Sequence, residues 1–141
     1  MASKIKIICV GKVKERYITE GINEYLKRLT PFLKIEIIEL KDEGMKKESE
    51  KIQKYLDTNA FIMDEKGKEL SSLEFAEMIK KHEGTLTFVI GGADGIENAV
   101  KSKSKTISLS RMTFVHEMAR LFLIEQVYRS YMINSGRKYH R

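Results

Sequence analysis

The chain of 141 residues carries a single cysteine, Cys9, and a single proline, Pro31. A lone thiol rules out an intrachain disulfide framework and fits a reducing compartment, so the expected location is the cytoplasm. Pro31 falls just after an apolar-periodic stretch over residues 18–29 and helps to end it. No apolar run approaches the roughly 20 residues that a membrane-spanning helix needs. The opening "MASKIKI" lacks the apolar core and cleavage site of a secretory leader. No membrane partner is expected. Hydrophobic residues make up 42% of the chain and charged residues 33%, enough for one core in one soluble domain spanning residues 1–141.

Acidic residues are scarce in the last third. Residues 101–141 hold 9 Lys/Arg against only Glu117 and Glu125, a net +7, whereas residues 1–100 hold 17 against 18, a net −1. Concentrated positive charge of this kind is the footprint of a polyanion partner, nucleic acid above all, or simply a soluble basic surface.

Several chemical signatures are also missing. No G-x-G-x-x-G follows the first strand-like segment, and no P-loop string occurs, so the two common phosphate-binding loops are excluded and a nicotinamide-type oxidoreductase is disfavoured. His116 is followed by Glu117 but has no second histidine at i+4, and no Cys/His cluster has metal spacing, so no metal is expected.

What is present is alternation. Strand-like runs at 4–13, 34–40, 60–67, 85–92 and 105–110 alternate with helical periodicity at 18–29, 46–56, 71–84, 96–104 and 113–134. This βαβαβαβαβα order predicts an α/β fold, a mostly parallel sheet with helices on both faces and ligand-binding loops at the carboxyl ends of its strands. The last helix is apolar over most of its circumference, with "LFLI" at 121–124. It is expected to be buried on two sides, one against the sheet and one against a second copy in a homodimer. The glycine loop "GGADG" (91–95) is a tight turn, a ligand cradle, or both. It joins "FIMDEKGK" (61–68) and "LSRMTFVHEMAR" (109–120) as three strand ends able to converge. Their backbone edges suit a neutral heterocycle such as adenine, with apolar walls from Met63, Leu109 and Met112.

His116 and Arg120 lie four apart on one helix face. They read either as a site that positions RNA phosphate or the tail, or as a cap and an ion pair. Arg129, Arg137, Lys138 and Arg141 fit phosphate contacts or plain solubility, and Cys9 reads as core.

The strings "VGKVKERY", "YLKRL", "FVIGGADG", "LSRMTFVHEMARLFLIEQVYR" and "YHR" occur here in order. Together they resemble the ribosomal RNA large subunit methyltransferase H family of SPOUT-class enzymes, over essentially the whole chain. The resemblance implies a SPOUT fold with a C-terminal trefoil knot and a homodimer. It implies S-adenosylmethionine as cofactor and methylation of N3 of a pseudouridine in a stem-loop of 23S rRNA. It places the cofactor at Met63, Gly91, Leu109, Ser110, Arg111, Met112, Thr113 and Phe114. His140, Tyr139 and Arg129 are then expected at the reacting base, and His116, Arg120, Arg137, Lys138 and Arg141 at the RNA. Many family members have proline where this chain has Val115. The alternative is a basic RNA-binding module of the same fold without catalysis.

Overall fold

The computed structural model describes residues 1–141. The elements run β1 (Lys4–Val10), α1 (Arg16–Leu29), β2 (Lys34–Leu40), α2 (Met45–Gln53), β3 (Ala60–Glu69), α3 (Ser72–Lys81), β4 (Thr85–Val89), α4 (Asn98–Lys101), β5 (Lys105–Ser108) and α5 (His116–Asn134). All five strands join one sheet in the order β2-β1-β4-β3-β5, and every pairing is parallel. The α/β alternation read from the sequence is therefore the architecture.

Period-2 alternation splits the core into two layers. Ile5, Ile7 and Cys9 of β1 face a large cluster with Leu86 and Phe88 of β4, Ile18 and Ile22 of α1, Phe75 and Ile79 of α3, and Leu123, Ile124 and Val127 of α5. Ile8, Ile62 and Val89 point the other way, against Ile52 of α2 and Val100 of α4. Cys9 is core, as expected, and burial pushes its thiol up to about 11. It is not remote from positive charge, because Arg120 partly opposes that shift.

The boundaries differ from the sequence reading where glycine intervenes. β1 stops at Val10, because Gly11 takes φ 75, and β4 stops at Val89, ahead of the Gly91-Gly92 pair. α4 is a single turn, and α5 begins at His116 rather than at residue 113. Ser71 caps α3 with a full capping box: its hydroxyl accepts from Glu74 N at 3.1 Å, and its own N–H donates to Glu74 Oε1 at 2.8 Å.

α5 packs against α1, α3 and the sheet within its own chain. Gly21 lets α1 approach closely, since a Cβ there would lie 3.1 Å from Leu121 Cδ1. The apolar girdle of α5 is thus largely covered without a partner; Phe122 remains 36% exposed, with Val115 just ahead of the helix at 67%.

Candidate active site

Three neighbours in the sheet, β4, β3 and β5, run parallel, so their carboxyl ends open on one edge. At β3 the ladder to β5 slips between Met63 and Lys68, and the intervening residues bulge out. Gly67 makes this possible. A Cβ there would sit 2.8 Å from both the Ile107 nitrogen and the Thr106 carbonyl carbon. The bulge carries Asp64 and Glu65 out to the edge of the sheet.

After β4 the chain folds into a turn in which Gly95 N donates to Gly92 O at 3.0 Å, with Gly95 at φ 79. Side chains at Gly91 and Gly92 are excluded by the protein itself. A Cβ at Gly91 would lie 2.8 Å from Ile96 Cγ1, and one at Gly92 would lie 2.9 Å from Glu48 Oε1. α2 supports this loop from beneath. Buried Glu48 accepts from the Glu43 and Gly44 amides at 2.9 and 2.8 Å, and buried Ser49 accepts from Glu97 N at 3.0 Å.

The loop after β5 is tied to the bulge. Ser108 Oγ lies 3.2 Å from Glu65 O and 2.7 Å from Ser110 O, Thr113 Oγ1 donates to Glu65 Oε2, and Met112 N donates to Ser110 Oγ at 3.0 Å.

Between these loops lies a cavity of about 370 Å³. It is lined by Met63, Gly91, Leu109, Ser110, Met112, Thr113 and Phe114, all picked out from the sequence. Arg111 is the exception: its guanidinium points to Glu69 at 3.4 Å on the surface. His116, expected at the RNA or the tail, also lines the cavity. Asp64, Glu65, Asp94 and Lys101 are lining residues the sequence reading missed, with Lys101 Nζ 3.4 Å from Asp64. The bulge that presents the first two left no periodicity signal.

The donor set fits S-adenosylmethionine. The volume lies within the ~300–1,000 Å³ of small-molecule sites. Apolar walls and open backbone edges suit an adenine ring, and three carboxylates against one lysine suit a cationic sulfonium and ammonium. No group of three or more His, Cys, Asp or Glu residues gathers in metal-binding geometry.

A second hollow of about 240 Å³ shares Met63, Leu109 and Phe114 with the first and is bounded by Phe122 and Glu125 of α5. Behind it sits the tail. A Schellman turn ends α5: Arg137 N donates to Met132 O at 2.9 Å and Gly136 N to Ile133 O at 3.1 Å, with Gly136 at φ 69. The chain doubles back and lays Tyr139 and His140 beside Glu125 and Arg129. Arg129 donates to Glu125 Oε1 from Nε at 3.0 Å and Nη2 at 2.6 Å, and its Nη1 lies 3.1 Å from His140 Nδ1. Tyr139 OH reaches Glu125 Oε1 at 3.3 Å and Tyr25 OH at 3.1 Å. Burial, then the Tyr25 hydrogen bond, hold the Tyr139 phenol well above its ordinary range.

The structure thus gathers Arg129, Tyr139 and His140 around an acid the sequence reading passed over. Glu125 is one of only two acids in the last 41 residues, which was the available signal. None of the three tail-cluster residues lines the larger cavity of the same chain. Arg137 lies over Phe32, 5.0 Å from its ring, and Lys138 and Arg141 are exposed.

Arg120 corrects an expectation. It is 3% exposed and bound to Glu39 and the Gly11 carbonyl, so it is closed to RNA phosphate and serves as the ion pair instead. The neighbouring Glu117 carboxylate accepts from Lys14 N at 2.9 Å and Glu15 N at 3.3 Å, tying the start of α5 to the segment that leads into α1.

Comparison with known proteins gives the family. The family described as "Predicted SPOUT methyltransferase" matches residues 3–140. A protein of Symbiobacterium thermophilum named "Ribosomal RNA large subunit methyltransferase H" is 39% identical over 160 residues, covering 98% of this chain and 99% of that one. The protein of the same name from Enterococcus faecalis is 40% identical over 158 residues with the same coverage. The structure of a probable methylase family protein from Haemophilus influenzae superposes with a TM-score of 0.59 over 97% of this chain and 70% of that one; at 10% identity the likeness is one of fold. By sequence and by fold, the chain belongs to the SPOUT methyltransferase family, among the ribosomal RNA large subunit methyltransferase H proteins.

Proposed function

We propose that this protein methylates 23S ribosomal RNA at N3 of a pseudouridine in a stem-loop, with S-adenosylmethionine as methyl donor and as a homodimer in the cytoplasm. The observation that carries the reading is the convergence of seven sequence-nominated residues on one cavity at the ends of β4, β3 and β5. The names of the relatives support ribosomal RNA as substrate.

When bound, S-adenosylmethionine supplies a methyl group already activated on sulfur. The chain's own task is alignment, which can contribute on the order of 7–11 kcal/mol. Gly91, Leu109, Ser110, Met112, Thr113 and Phe114 would hold it through backbone edges, and Met63, Leu109 and Phe114 would exclude water. The basic residues Arg137, Lys138 and Arg141 are proposed RNA contacts. The tail lies outside the cavity of its own chain, and Met112, at the cavity mouth, is 75% exposed, as are Val115 and Phe122 to lesser degrees. These features favour a dimer in which the tail of one copy completes the site of the other.

Mass spectrometry of ribosomal RNA from a deletion strain tests the function: loss of one methyl group on a 23S pseudouridine is expected, and an unchanged modification pattern refutes it. Calorimetry with S-adenosylmethionine separates the enzyme from a non-catalytic RNA-binding module, which would give no heat at millimolar cofactor.

A further inference from the structure

The geometry points to Arg129, anchored by Glu125, as a positioning residue that fixes the tautomer of His140, so that the tail histidine presents an N–H donor at Nε2. The inference deepens the methyltransferase reading and rests on it for its catalytic consequence, though not for the tautomer itself.

The argument starts from the inventory of donors. A guanidinium has five N–H groups and no acceptor. Arg129 Nη1 lies 3.1 Å from His140 Nδ1, so in this contact the arginine donates and Nδ1 supplies the lone pair. A neutral imidazole with a lone pair at Nδ1 carries its proton at Nε2. The imidazolium would set an N–H against an N–H and lose the bond.

The fork cannot turn away. Two of its nitrogens, Nε and Nη2, are bound to Glu125 Oε1, with the Arg129 and Glu125 side chains 24% and 17% exposed. The guanidinium carbon also lies 4.8 Å from the centre of the Tyr139 ring. Nη1 is the nitrogen left over, and it is aimed at the histidine. His140 Nε2 has no partner in the chain and is not among its buried unpaired atoms, so it opens to solvent.

An outward Nε2–H is the wrong group to take a proton from an imide nitrogen. It is the right group to donate to a carbonyl oxygen beside that nitrogen, where charge collects as the nitrogen becomes nucleophilic. His140 is therefore assigned the donor's part, with Arg129 acting through it.

The protein holds an internal control. His82 Nδ1 lies 3.3 Å from the Met78 carbonyl oxygen, which can only accept, so the neutral His82 ring carries its proton at Nδ1. The two histidines should have opposite tautomers in one spectrum. The test is long-range ¹H–¹⁵N correlation on the full-length protein, labelled at histidine, above pH 8. Expected for His140 is a bare Nδ1 and a protonated Nε2, with the reverse for His82. In Arg129→Leu the His140 pattern should collapse to the averaged pattern of an unconstrained histidine while His82 stays put, and Arg129→Lys should recover part of the bias. Glu125→Gln, which frees the fork, should shift His140 in the same direction as Arg129→Leu and serves if that variant fails to fold. A His140 ring protonated at Nδ1, or one unmoved by these changes, overturns the assignment. In methyl transfer, Arg129→Leu should lower kcat by roughly 10²-fold, the scale for loss of one preorganised donor, with the calorimetric cofactor affinity held. A wild-type protein that shows the tautomer but methylates no RNA would refute the functional reading and leave the assignment of Arg129 standing.

Discussion

Arg120 Nη1 donates to Glu39 Oε2 across 2.6 Å, and Nη2 of the same guanidinium donates to the Gly11 carbonyl at 3.0 Å. The pair is lopsided. Arg120 is 3% exposed and its Nε has no partner, whereas the Glu39 side chain is 36% exposed. The two deletions should therefore differ. Glu39→Ala strands a buried cation and should destabilise the protein by about 3 kcal/mol, within the range for breaking a buried pair. Arg120→Met removes the buried charge, fills most of the space and leaves Glu39 free to turn to water, so it should cost about 1 kcal/mol. Denaturant unfolding of both variants decides the matter, and an Arg120→Met variant less stable than Glu39→Ala contradicts it.

That pair also shows where sequence reading stops. The spacing of His116 and Arg120 put them on one helix face, but nothing local told which of the two would be buried. The answer depends on β2 lying beside β1, which brings Glu39 within reach of Arg120, 81 positions further along the chain. The strands, the helices and the converging loops were legible because periodicity and glycines are local signals. The bulge at Asp64 and Glu65 was not, because its cause is the backbone of β5 pressing on Gly67. The residue types of the tail, Tyr139 and His140 among basic Arg137, Lys138 and Arg141, are legible in the sequence, but its position is not. Its docking follows from the Schellman turn at Gly136 and from Glu125, whose partners only the fold supplies.

Gly67 should tolerate substitution far less than Gly21. At Gly67 a methyl meets β5 backbone at 2.8 Å, which cannot move without parting two strands. Gly67→Ala is expected to cost about 2–3 kcal/mol by overpacking and to weaken S-adenosylmethionine binding more than about tenfold, because the same bulge carries Glu65 to Ser108 and Thr113. At Gly21 the nearest atom is the end of the flexible Leu121 side chain, at 3.1 Å. The gain in helix propensity, about 1 kcal/mol, should offset that crowding. Thermal melts with and without cofactor distinguish the two, and equal losses at both positions would contradict the backbone argument.

Stability should fall on the alkaline side. Burial raises the Cys9 thiol from its usual 9.0 to about 11 and the Tyr131 phenol from 10.0 to about 12, and Tyr131 OH donates to the Ala2 carbonyl. Both groups are neutral when protonated and keep their protons longer in the folded state. Their contribution is complete below the unfolded values, near pH 9, and is lost as pH rises towards 11 and 12, on the order of 2–3 kcal/mol for each group. Chemical denaturation at a series of pH values should show a decline beginning near pH 9, shallower in Cys9→Ala and in Tyr131→Phe relative to each variant's own neutral-pH stability. A flat profile to pH 11 would sink the prediction.

Val115 precedes the first turn of α5 with φ −59 and ψ 145, and its N–H donates to no group in the chain. A proline needs φ near −65° and no donor, so the site is already shaped for one. The Val115 side chain is 67% exposed and gives up little packing. Val115→Pro should therefore stabilise the protein by about 0.4–1 kcal/mol by restricting the unfolded chain, seen as a rise of a few degrees in Tm. The residue lies between Phe114, at the cavity, and the first turn of α5, so the same variant reports on the loop. If the backbone there is preset as the torsions indicate, calorimetric affinity for S-adenosylmethionine should hold within about twofold. A fall in Tm would mean that the segment before α5 relies on a freedom that proline removes.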